Sequence, residues 1–152
     1  MRTRKQVCSA LAFVVLTACG PGATKMEDMN TTLVTLPDGT KIVAETMVRE
    51  IDVTRGMMFR DALPAGRGMI LIFSGAGRHA AFTYNCRVPL DIVWMDAEQR
   101  VVELAENSPP CKEKSAKACP TYGGKTISRY ALELNAGLAV AYKLKVGDKL
   151  VF

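Results

Sequence analysis

The chain contains a single histidine, His79, in 152 residues, and little else of the usual catalytic material. No Ser-x-Gly elbow and no His-x-x-x-His pair occurs, so neither a serine hydrolase nor a zinc protease is indicated. There is no Cys-x-x-Cys, and no metal is expected. Glycine pairs such as Gly123-Gly124 match no phosphate-loop pattern, and no cofactor is expected. His79 therefore reads as a surface or strand-end residue. Repeats and low-complexity tracts are absent too. Excess charge is scarce: 20 basic against 15 acidic residues give +5, and three of the basic residues are Arg2, Arg4 and Lys5. Without them the balance is +2, so charge does not point to nucleic acid. A length of 152 residues and 49% hydrophobic content fit one globular domain.

The amino-terminal segment carries an address. Met1–Lys5 is basic, and Ala10–Leu16 is apolar but far shorter than the ~20 residues needed to span a bilayer. Small residues follow in Leu16-Thr17-Ala18-Cys19-Gly20. This is a signal peptide over residues 1–18, and its ending resembles a bacterial lipobox. The resemblance implies cleavage before Cys19 and diacylation of that cysteine, a stable membrane anchor. Gly20 after the cysteine favours the outer membrane in a cell with two membranes. Residues 19–32 read as a flexible tether with a reach of roughly 20 Å, which keeps the domain near the membrane. Met26 and Met29 in it offer a soft-metal site, but a solvated linker is the simpler reading.

Residues 33–152 read as one globular domain rich in short strands. Leu33–Leu36 and Thr40–Val48 flank Pro37-Asp38-Gly39, a hairpin signal. Asp52 is placed to cap a helix running to Arg60. Met69–Phe73 is a continuous apolar run, as in a strand buried on both faces. Ser74–Gly77 reads as a loop, Ala80–Asn85 and Leu90–Met95 as strands, and Val101–Leu104 as the next. Ile127–Leu134 is a strand, Ala136–Leu144 a short helix, and Leu150–Phe152 a last strand. The expected fold class is α+β and mainly β: a compact β-barrel or a strongly bent, antiparallel-rich sheet with one or two short helices.

Several pieces then occur in a telling order. They are Arg55–Arg60 (RGMMFR), Leu63-Pro64, Gly68–Phe73 (GMILIF), Asn85–Ile92 (NCRVPLDI), Pro109-Pro110-Cys111 with Cys119–Tyr122, Arg129–Gly137 (RYALELNAG) and Val146-Gly147-Asp148. Over about Val48 to Phe152 the chain resembles the domain of unknown function 192 family of bacteria and archaea. The resemblance implies a small, mainly β, often exported domain, and no established reaction. One stretch departs from the family. Where the family usually reads Phe-Trp-Met-Lys-Asn-Thr, this chain has Ala81-Phe82-Thr83-Tyr84-Asn85-Cys86. A function carried by that lysine would be absent here or performed differently.

Candidate ligand-binding residues are Asn85, Arg87, Asp91 and Arg60. Strand parity places Asp91 with Val93 and Met95, opposite Leu90, Ile92 and Trp94. A carboxylate on such a face needs a cation or several amide donors. Backbone capping is the simplest role for it, ligand contact the next. Asp91 and Asn85 are expected at one edge of a concavity, with Arg60 or Arg87 keeping Asp91 ionised.

Of five cysteines, Cys8 leaves with the signal and Cys19 takes lipid. Cys111 and Cys119 bracket a polar loop, and export makes a disulfide between them the favoured pairing. Cys86 remains, as a buried or a reactive thiol. The favoured function is a lipid-anchored cell-envelope domain that binds a small ligand or an envelope protein. An envelope enzyme using Asp91, Asn85 or Cys86 and a structural module without a pocket are the alternatives. The expected partners are the membrane, through Cys19, and that ligand or protein; nucleic acid is not among them.

Overall fold

The computed structural model describes residues 30–152. The signal segment, Cys8, Cys19 and the tether methionines Met26 and Met29 lie outside the described residues. Strands β1 (Thr31–Thr35) and β2 (Lys41–Met47) form the expected hairpin. Its turn is closed by Asp38 Oδ1, which accepts the Thr40 N–H at 2.8 Å. Helix α1 (Glu50–Arg55) leads to β3 (Arg67–Gly77), which lies parallel to β2. Parallel neighbours cannot be joined by a tight turn, and the segment containing α1 supplies the crossover. Then come β4 (Ala80–Ala81), β5 (Leu90–Met95), β6 (Val101–Ser108), a 3-10 turn at Ala116–Ala118, β7 (Tyr122–Gly123), β8 (Ser128–Asn135) and helix α2 (Leu138–Ala141).

Six strands make one sheet in the order β1-β2-β3-β8-β5-β6, antiparallel except at β2–β3, and β4 pairs with β7. The domain is α+β and mainly β. The sheet is not a closed barrel, and a bent sheet is compatible with it. The carboxyl-terminal tail reaches one end of each outer strand. The Val101 N–H donates to Asp148 O at 2.8 Å, and the Val151 N–H donates to Thr35 O at 3.0 Å.

Both faces of the sheet are covered. On one, Ile42, Ala44, Ile70, Val93, Met95, Leu132 and Leu134 pack under Ala139 of α2 and Leu150 of the tail. On the other, Met69, Leu71, Leu90, Ile92, Trp94 and Ala131 pack under Met57, Leu63 and Cys86. Strand β5 is buried along its whole length, Asp91 included. Gly123 is needed at the edge of the second layer, because a Cβ there would come within 2.5 Å of the Trp94 ring.

Several boundaries differ from the sequence reading. Ser74–Gly77 is not a loop: after a register shift β3 continues until Gly77 pairs with Ser128. Of Ala80–Asn85 only Ala80 and Ala81 form a strand, and Asn85 adopts φ +54°, which ends extended structure. Strand β6 runs on to Ser108. Asp52 lies inside α1 and pairs with Arg49 instead of capping, and Gly56 at φ +43° ends the helix well before Arg60. Left-handed Gly137 and Lys143 confine the second helix to four residues. The last expected strand is a single bridge, Thr35 to Val151.

Candidate functional site

A cavity of about 360 Å³ opens on the second face of the sheet, between α1, β3, the segment around His79–Phe82 and β8. That volume lies in the range of small-molecule sites. At its base is Glu133, in the middle of β8, with Met69 of β3 and Ile92 of β5 as strand neighbours. Both neighbours are fully buried. Parity explains the placement. Leu132 and Leu134 face the core under α2, so Ala131 and Glu133 must face the other way.

Glu133 is 5% exposed, and its Oε2 has no hydrogen-bond partner. Burial pushes its carboxyl up to about 7, and the Met57 backbone N–H and the Arg60 guanidinium offset that rise only in part. Arg60 itself is held by Glu45 of β2 in a two-pronged pair, both contacts at 2.7 Å. The carboxyl can reach this position because residue 56 is glycine. A Cβ on Gly56 would lie 3.0 Å from Oε2. The missing side chain thus ends α1 and admits the carboxyl in the same place.

Cys86 lines the same cavity and carries a free thiol. Burial, then the negative charge of Glu133, push that thiol up to about 12. Such a thiol stays protonated at neutral pH and is a poor nucleophile. His79 lies half-buried between the end of β3 and the start of β4; it stacks on Phe73 with ring centroids 3.8 Å apart, and its Nε2 lies 3.0 Å from Gly75 O. Val53, Leu71, Phe82 and Ala131 supply apolar wall. Among the described residues no three of His, Cys, Asp and Glu cluster closely enough to hold a metal ion.

The residues singled out from the sequence sit elsewhere. Asp91 is fully buried on the opposite face. Its Oδ1 accepts the Asn107 N–H and its Oδ2 the Ala139 N–H, both at 2.7 Å. The second bond caps α2, whose N-cap, Gly137, has no side chain to do so. The expected arginine partner is not there: Arg60 pairs with Glu45, and Arg87 pairs with Asp61. Amide donors satisfy the carboxylate instead. Asn85 contributes its carbonyl, which accepts the Phe59 N–H at 2.8 Å. Asn85, Arg87, Asp91 and Arg60 are all absent from the cavity wall. Sequence reasoning missed Glu133, although a carboxylate within Tyr130-Ala131-Leu132-Glu133-Leu134 was the available signal.

The Cys111–Cys119 disulfide is present, with Cα atoms 5.8 Å apart. It closes the loop that covers Thr83, whose hydroxyl donates to Pro109 O at 2.7 Å and whose carbonyl accepts the Cys111 N–H at 3.1 Å.

A small, two-sided β domain with one polar-based apolar cavity is the class that fold and site define. The DUF192 family model, described as "Uncharacterized ACR, COG1430", matches residues 33–152. The chain belongs to this family. Among solved structures it is similar to a protein of unknown function from Novosphingobium aromaticivorans DSM 12444. Identity is 24% and the TM-score 0.72, over 94% of this chain and 100% of that one. It is also similar to a proposed transcription regulator from Sinorhizobium meliloti 1021, at 22% identity and a TM-score of 0.69 over 78% and 89% of the two chains. At these identities the likeness shows the fold alone. No curated protein matches.

Proposed function

We propose that this protein is a lipid-anchored envelope domain that binds a small molecule in the Glu133 cavity. One observation carries the binding reading: a carboxyl oxygen is buried at the base of an apolar cavity with no hydrogen-bond partner. Leaving a buried acceptor unpaired costs roughly 1–3 kcal/mol, a cost that a bound donor relieves. The cavity speaks against a purely structural module, and the protonated Cys86 thiol speaks against a cysteine nucleophile. The ligand is thereby assigned to Glu133 and not to the Asn85–Asp91 region.

Anchoring is supported by the basic start, the short apolar run and Leu16-Thr17-Ala18-Cys19 together. In a cell with two membranes, Gly20 favours the outer one. Cys19→Ala should move the protein from the membrane fraction to soluble or precursor forms; unchanged association with an unmodified Cys19 would refute the anchor.

The binding reading is tested by ligand-observed NMR of the full-length chain against a fragment library. Val53→Trp fills the cavity from α1. Fragments that bind the wild type and fail to bind this variant are expected. A library that gives the same hits on both proteins, or none on the wild type, would contradict the proposal.

A further inference from the structure

We infer that the Glu133 cavity takes a small organic cation, an apolar body whose ammonium head pairs with the free carboxyl oxygen. This rests on the ligand-binding reading above and names the chemical class of its ligand.

The charge around Glu133 carries the argument. From α1, Glu50 and Arg55 line the cavity, and the Arg55 charge acts on the Asp52 carboxylate one turn away. Arg60 is held by the Glu45 carboxylate of β2. From β3 and β5 the strand neighbours are Met69 and Ile92, which are apolar. Cys86 presents a thiol that stays protonated. His79 has its ring against Phe73 and its Nε2 at a backbone carbonyl. The two lining carboxyls, Glu50 and Glu133, thus meet a single lining guanidinium. When ionised, Glu133 carries the charge that no side chain of the wall neutralises.

An ammonium group supplies both things Oε2 lacks, a donor and a positive charge. A charge-assisted bond of this kind is about twice as strong as a neutral one. The walls offered by Val53, Leu71, Phe73 and Phe82 suit an apolar body, and ring faces attract a cation nearby. A neutral alcohol would supply the donor without the charge. An anionic ligand would require Glu133 to remain protonated.

Proton linkage separates these cases. The empty cavity holds the Glu133 proton until pH rises to about 7. A cation binds the ionised form, so its binding expels that proton and its affinity rises with pH up to that point. A neutral ligand shows no such rise, and an anion shows the reverse.

The test is calorimetric titration of the full-length chain and its Glu133→Gln variant with phenethylammonium chloride, 2-phenylethanol and sodium phenylacetate, from pH 5 to 8. Phenethylammonium is expected to bind the wild type best, with affinity rising up to about tenfold per pH unit below about 7 and level above. Glu133→Gln should weaken phenethylammonium at least about tenfold more than it weakens 2-phenylethanol. If 2-phenylethanol or phenylacetate binds as tightly as the ammonium ion, the cation assignment fails while the ligand-binding reading stands. The same holds if ammonium binding ignores both pH and Glu133→Gln. If no probe binds, both fall.

Discussion

The Cβ that Gly56 lacks would stand 3.0 Å from Oε2 of Glu133. A gap at the end of one short helix thus decides whether a carboxyl from the central strand β8 can enter the cavity. Gly56 also takes φ +43°, which an L side chain adopts only under strain.

Gly56→Ala should therefore cost stability twice, through backbone conformation and through displacement of the carboxyl. The expected loss is roughly 1–3 kcal/mol in urea unfolding. In a Glu133→Ala background the same substitution should cost less, because the crowded carboxyl is gone. Equal losses in the two backgrounds would show that the two residues are not coupled.

Glu133 predicts a pH dependence of opposite sign to the usual carboxylate. Its folded pKa of about 7 lies above the ordinary 4.5. Between those values the folded chain holds a proton that the unfolded chain has released. Stability contributed by this group is therefore complete below about pH 4.5, falls as pH rises to about 7, and is level above. The size is on the order of 3 kcal/mol. Denaturation of wild type and Glu133→Gln across pH 4.5–8 isolates it: the variant should gain relative stability over that window. A constant difference would contradict the assignment.

The three cysteines of the described domain should react in two different ways. Cys86, pushed up from 9.0 to about 12, holds on the order of 10³-fold less thiolate at pH 8 than an ordinary thiol. In peptide mapping it should resist iodoacetamide in the native protein and react fully after unfolding. Cys111 and Cys119 should be labelled only after reduction. Replacing both by alanine frees a nine-residue loop and should cost about 2.6 kcal/mol in the chain-entropy model. Rapid native labelling of Cys86 would remove the argument against its nucleophilicity.

Asp91→Asn offers one acceptor where two amides, of Asn107 and Ala139, now donate. Stability should fall by roughly 1–3 kcal/mol, with ligand binding at Glu133 unchanged. Unchanged stability with lost binding would instead return Asp91 to the ligand site.

The legible parts of the sequence were those governed by neighbouring residues. Asp38-Gly39 announced its hairpin, and Met69–Phe73 announced a strand with both faces covered. Parity gave Asp91 its correct companions, Val93 and Met95. Its partners were not legible, because Ala139 lies 48 positions along the chain and donates through its backbone, which every residue but proline can do. The sequence pattern therefore prompted a search for an arginine where amides serve. Glu133 was open to the same parity argument in Tyr130–Leu134. Its lack of a partner was not, since that depends on where α1 ends and where Arg60 turns. The helices shortened because left-handed residues such as Lys143 are set by tertiary packing rather than by periodicity.

The most direct measurement is native mass spectrometry of the wild-type chain and Glu133→Gln, each purified from its own envelope and compared side by side. The account predicts a small-molecule adduct on the wild type that is lost or strongly reduced in the variant. A bare wild-type mass, or an adduct that survives Glu133→Gln undiminished, would contradict it.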